Sequence, residues 1–160
     1  MIIVENNFSK ATLRVYKDIC AFFDSVGYEY TTDSESLRVF CVVSGDDLDI
    51  DLKISVGSPD GFISVYSPMP YTVAKDKRAL IAEAVSIVNF STINGSFDFD
   101  LEGNLGFRIT QCYFDSILDE SVYDYLINLS VEMIDRFNDK FLLMSLGKYS
   151  IEDLKGFIKP

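Results

Sequence analysis

Apolar residues recur at three- and four-residue spacing over residues 8–26: Leu13, Tyr16, Ile19, Cys20, Phe23 and Val26. That period gathers them on one side of a helix. Asn7 or Ser9 can cap its start. Gly27 follows, where a helix C-terminus favours a left-handed residue. The period then shortens to two. Tyr28 to Thr32 and Leu37 to Val43 read as strands, with a Ser44-Gly45-Asp46-Asp47 turn after them. Leu48 to Val56 is the cleanest strand, with Leu48, Ile50, Leu52 and Ile54 on one side and Asp49, Asp51, Lys53 and Ser55 on the other. Gly57 to Gly61 reads as a turn and Phe62 to Tyr66 as a fourth strand. Pro68 and Pro70 predict its end, with Met69-Pro70-Tyr71 in an exposed loop that could serve as a contact.

A second helix is predicted over 74–90, with Leu80, Ile81, Ala84, Val85 and Val88 as its stripe. Ser96 to Leu101 and Leu105 to Tyr113 form a hairpin around Glu102-Gly103-Asn104. Asp115 or Ser116 opens a third helix of about 118–143, striped by Val122, Leu126, Leu129, Met133 and Phe137. Gly147 stops it, and Ser150 caps a short terminal helix over 151–157. The class is therefore α+β. An antiparallel β-sheet carries helices packed on it, in the order α-β-β-β(-β)-α-β-β-α. Residues 1–160 are expected to form one domain.

Charge narrows the choice of partner. Against 14 basic residues stand 25 acidic ones, a net charge of −11. Such a field repels nucleic-acid backbones and anionic membrane surfaces, so neither is an expected partner. The three cysteines, Cys20, Cys41 and Cys112, are dispersed among apolar residues and read as small hydrophobes in a reducing compartment. With no secretory signal at Met1 to Asn7 and no apolar run long enough to span a bilayer, the expected location is cytoplasmic.

The chain has no histidine, which removes His-dependent triads, His-ligated zinc and imidazole acid–base chemistry. Three cysteines cannot form a four-thiolate zinc site. Glycine-rich phosphate loops and the Gly-x-Ser-x-Gly elbow are also missing. The remaining candidate chemistry is carboxylate. Asp46, Asp47, Asp49 and Asp51 fail as an EF-hand, which counted from Asp47 would need Gly at 52 and Glu at 58 where Leu52 and Ser58 stand. Asp49, Asp51, Asp98 and Asp100 could instead line one sheet face if the two hairpins lie side by side. A cation or a basic partner would then relieve their repulsion; a merely solvated strand face explains the same pattern. No cofactor is expected. Phe22, Phe23, Tyr123, Tyr125, Phe137 and Phe141 spread around their helices more widely than one core stripe needs, so core, isologous dimer interface and a groove for an amphipathic partner are all open.

Residues 85–108 carry a soft pattern of turns and apolar positions: Asn89, Asn94, Gly95, Phe97, Gly103, Phe107 and Arg108, with Arg78 and Tyr66 outside the segment. It resembles the YbjN-like family, described as candidate bacterial sensory transduction regulators. A second Asn directly after Asn89 is missing. The resemblance implies a type III secretion chaperone-like fold, commonly dimeric, and binding or regulation without known catalysis. Asn89, Asn94, Gly95 and Gly103 would then shape a structural corner and do no chemistry. The expected function is a non-enzymatic protein-binding domain, chaperone-like or a regulatory adaptor, working as a homodimer through a sheet edge or an apolar helix face. The alternatives are a sensory or stress signalling regulator that binds a small ligand, and an Asp-dependent metal-assisted enzyme.

Overall fold

Helix α1 spans Lys10–Val26. Ser9 caps it by accepting from the Thr12 amide at 3.1 Å, and Gly27 closes it at φ 76°. Of the two predicted caps, Asn7 lies outside the described residues, which are 8–57, 61–114 and 116–159 of the computed structural model. The strands follow as β1 (Tyr30–Asp33), β2 (Arg38–Ser44), β3 (Asp49–Val56) and β4 (Phe62–Thr72). A single turn of 3-10 helix over Lys75–Lys77 leads into α2 (Arg78–Ser91). Then come β5 (Ser96–Phe99), β6 (Asn104–Cys112), α3 (Glu120–Ser145) and α4 (Ile151–Ile158).

All six strands form one antiparallel sheet, in the order β1-β2-β3-β4-β6-β5. Helices α1, α2 and α3 lie against one face of it, and α4 packs on α2. Val39, Ile50, Leu52, Ile54, Ile63, Val65, Phe107 and Ile109 point into that covered face and are buried. Their neighbours in sequence point out, so alternation along each strand divides core from solvent. The α+β reading of the sequence agrees with this arrangement.

Two features differ from the expectation. The strand ending at Tyr66 runs on to Thr72, through Pro68 and Pro70. The physical reason is the pairing. β3 accompanies β4 only from Val56↔Ile63 to Lys53↔Tyr66, so beyond Tyr66 the strand has β6 on one side and an open edge on the other. A proline without an N–H fits such an edge. Met69 is consequently a core residue, and the Tyr71 hydroxyl donates to the Asn138 carbonyl at 2.8 Å. The second difference is the start of α3. Asp119 caps that helix by accepting from the Ser121 amide at 2.9 Å. Of the predicted openers, Ser116 lies ahead of the helix and Asp115 is outside the described residues, as are Ser58, Pro59 and Asp60 of the predicted turn.

The aromatic surplus mostly goes to the core. Phe22, Phe23, Tyr123, Phe137 and Phe141 are all buried within the one chain, while Tyr125 stays exposed. Phe97 meets Phe107, Phe137 and Phe141 with centroids 5.1–5.7 Å apart and edges turned to faces, the arrangement the ring quadrupole favours. Cys41 is buried and Cys20 and Cys112 are half-buried, all as free thiols. Burial pushes the Cys41 thiol up to about 11. No helix among the described residues is long and apolar enough to cross a membrane.

Candidate functional sites: the α2–β5 corner and the open sheet face

At the end of α2 the chain must turn and enter an edge strand. Asn89 makes the join. Its side-chain oxygen accepts from the Phe97 amide at 2.8 Å, and its side-chain nitrogen donates to the Phe97 carbonyl at 3.1 Å. A carboxamide thus stands where a seventh strand would pair. Gly95 passes so close beneath Phe107 that an added Cβ would sit 2.4 Å from the ring tip, at a φ of 78°. Asn94 reaches the Tyr125 hydroxyl at 3.3 Å.

The β5–β6 turn is fastened separately. Asp100 accepts from the Glu102 and Asn104 amides, both at 2.9 Å, and from the Asn104 side chain at 2.9 Å. The Asn104 side chain, then its backbone amide, hold the Asp100 carboxyl below its ordinary range. Arg78 donates to the Leu101 and Glu102 carbonyls. Gly103 accepts through its carbonyl from the Val73 amide at 2.8 Å. Its φ of 93° and its closeness to the Val73 oxygen require glycine.

This corner leaves apolar groups in solvent. Phe90 is 95% exposed and Ile93 fully so. Beside them runs a hollow of about 290 Å³ between α2, α3 and α4, lined by Ile93, Tyr125, Leu129, Met133, Phe137 and Ile158.

The four aspartates singled out in the sequence are not brought together. The two hairpins do lie side by side, but they meet through β4 and β6, which leaves the aspartate-bearing strands β3 and β5 about 14 Å apart at the usual strand spacing. Asp49 accepts from the Ser44 hydroxyl at 3.0 Å, and Asp51 faces Val42 across the ladder. Asp98 is ion-paired with Arg108, and Asp100 is occupied by its own turn. Among the described residues no three His, Cys, Asp or Glu side chains gather to hold a metal.

The centre of the open sheet face is cationic instead. One row across β2, β3, β4 and β6 reads Arg38–Ser55–Ser64–Thr110, and the next reads Phe40–Lys53–Tyr66–Arg108. Three cations and no carboxylate occupy these eight positions. The Arg108 guanidinium stacks over the Tyr66 ring at 4.8 Å. That ring lies flat over Gly106, where a Cβ would come within 2.6 Å of it. The sequence pattern puts Lys53 on this face next to Asp51 but gives it no role, because the cross-strand register that joins it to Arg38 and Arg108 is not a local signal.

No family model matches the chain, and no curated protein matches it. Two solved structures are similar in fold. YbjN from E. coli, a proposed transcription regulator, superposes with a TM-score of 0.58 at 14% identity, covering 75% of this chain and 85% of that one. A chain of the ExsC–ExsE complex superposes with a TM-score of 0.54 at 12% identity, covering 82% of this chain and 96% of that one. At these identities the likeness is one of fold: the antiparallel sheet with its helices is similar to YbjN and to a chain of the ExsC–ExsE complex, in agreement with the YbjN-like resemblance of residues 85–108.

Proposed function

We propose that this chain is a non-enzymatic, cytoplasmic protein-binding adaptor that acts as a homodimer, chaperone-like in the way it holds a partner. The observation that carries this reading is the apolar corner. Ile93 stands in water at the mouth of a hollow whose walls include Leu129, Met133, Phe137 and Ile158, and Phe90, three residues before it, is exposed as well. Single exposed apolar residues are ordinary, but two close in sequence, one of them lining a hollow rich in apolar side chains, suit an apolar partner segment. A fold shared with a chain from a protein–protein complex supports the same reading.

Self-association would use the β1 edge. The centre of β5 is already paired by the Asn89 carboxamide, whereas β1 pairs with β2 alone. Affinity capture tests the partner claim by comparing the wild type with Phe90→Ser/Ile93→Asp. One protein recovered reproducibly with the wild type and lost with the variant is expected. Identical recoveries, or none with the wild type, would overturn it. Sedimentation equilibrium tests the dimer, and a monomer at all concentrations would remove it.

A further inference from the structure

We propose that the uncovered sheet face binds a small organic anion, one with a phosphate or carboxylate head and a planar ring, with Lys53 at the centre of the site. The site lies on the side of the sheet away from the helices and is independent of the apolar corner.

A pocket of about 260 Å³ opens among Arg38, Lys53, Ser55, Ser64 and Arg108, with Phe40 and Tyr66 as its apolar walls. Two further hollows adjoin it. One runs towards β1 along Phe40 and Val42; the other runs along Tyr66 and Pro68 towards the β5–β6 turn. Lys53 lines all three, so it stands where they meet. A charged head at Lys53 leaves a ring free to lie on Phe40 or on Tyr66.

The donors are unspent. Neither Arg38 nor Lys53 has an ion-pair partner among the described residues. Arg108 engages Asp98 through Nε alone, which leaves the terminal nitrogens of its fork for a ligand. Ser64 Oγ is enclosed without a hydrogen-bond partner. A buried hydroxyl left that way is costly, and an anionic acceptor held in the pocket that Ser64 lines would relieve it.

Charge outside the patch selects for size. Asp33 lies across from Arg38, while Asp51 and Asp98 flank the next row. A polyanion reaching past the three cations would meet these carboxylates and the field of a chain of net charge −11. A compact anion meets only the centre.

The test is a titration of isotope-labelled protein, followed by backbone amide NMR, with AMP, 4-hydroxybenzoate and inorganic phosphate as separate probes. AMP carries a phosphate head on a planar base, and 4-hydroxybenzoate carries a carboxylate head. Saturable shifts confined to β2, β3, β4 and β6 around Lys53 are expected for at least one ring-bearing probe. Inorganic phosphate should bind more weakly than that probe. Lys53→Ala and Arg38→Ala should each weaken binding by roughly ten- to a hundredfold, the loss expected for one charge-assisted contact. Both residues are exposed, so unchanged melting curves show that the fold is kept. The proposal is overturned if neither ring-bearing probe saturates at millimolar concentration. Equal affinity for phosphate alone, or affinity unchanged in Lys53→Ala, overturns it too.

Discussion

Asn89→Ala should cost about 2 kcal/mol of stability. The side chain makes two hydrogen bonds to one residue, 2.8 Å from the Phe97 amide and 3.1 Å to the Phe97 carbonyl, and each such bond contributes about 1 kcal/mol net. Phe97 is buried and packs against three other rings, so loosening its backbone is felt in the core. For a chain of this size that loss lowers the melting temperature by about 4–8 °C. Thermal and urea unfolding followed by circular dichroism measure it, and hydrogen exchange should show the Phe97 amide losing protection. Asn89→Asp sharpens the test. It keeps an acceptor for the Phe97 amide but sets a carboxylate oxygen against the Phe97 carbonyl. At neutral pH it should be no more stable than Asn89→Ala. Its folded-state pKa would be raised, because only the protonated acid can donate to that carbonyl. It should therefore gain on Asn89→Ala as pH falls through that value. Asn89→Ala within about 0.5 kcal/mol of wild type, the range of a neutral surface change, with Phe97 protection intact, would refute the reasoning.

Asp100 has a folded-state pKa below the ordinary 3.8, so its contribution is present above that value and is lost as pH falls through the lowered one. Asp100→Asn should melt below wild type near neutral pH and show a shallower acid limb in a plot of melting temperature against pH, so that the two curves converge as pH falls. Gly103→Ala should be strongly destabilising, since its Cβ would lie 2.4 Å from the Val73 oxygen at a φ of 93°; a melting temperature equal to wild type would contradict the turn geometry. Ser150→Ala removes the capping box of α4 and should cost about 1 kcal/mol by urea unfolding. Cys41 should resist iodoacetamide in the folded protein and react once urea unfolds it, because burial both shields its thiol and raises its pKa. Mass spectrometry of the alkylated peptide reads this out.

Strand alternation and helix caps were legible because both are local. Leu48 to Val56 shows its two faces in eight or nine residues, and Ser150 with Asp153 announces a capping box in four. What the chain does beyond a dozen residues was not. Pro68 and Pro70 read as the end of a strand because the rule against proline in a sheet is usually a rule about central strands. Only the pairing shows that β4 outlasts β3 and becomes an edge there. The aspartates misled for a related reason. Alternation correctly put Asp49 and Asp51 on the open face, but two hairpins can lie side by side without their acidic strands meeting, and the sequence does not say which strands form the seam. The insertion of β6 between β4 and β5 carries Asp98 away from them.

The same strand order has a consequence for association. A sheet this open has two edges and one bare face, and an edge is a template for another chain. The β5 edge is occupied at its centre by Asn89, and the β1 edge offers four residues. Neither gives a long ladder for an added strand. Main-chain pairing alone would therefore hold a partner weakly, and side-chain contacts must supply the rest. They are available in two places of opposite character: apolar at Phe90 and Ile93, cationic at Lys53. Because the helices and the sheet's bare face lie on opposite sides of the core, an apolar segment and a small anion could be held at once without competing. If binding at one site altered the other, the coupling would have to pass through the sheet. The shortest route is the β5–β6 ladder, where Arg108 faces Ser96 and Phe97 is clasped by Asn89. Measuring partner affinity with and without AMP, in the wild type and in Asn89→Ala, would reveal such coupling. A dependence on AMP that survives in Asn89→Ala would rule that route out.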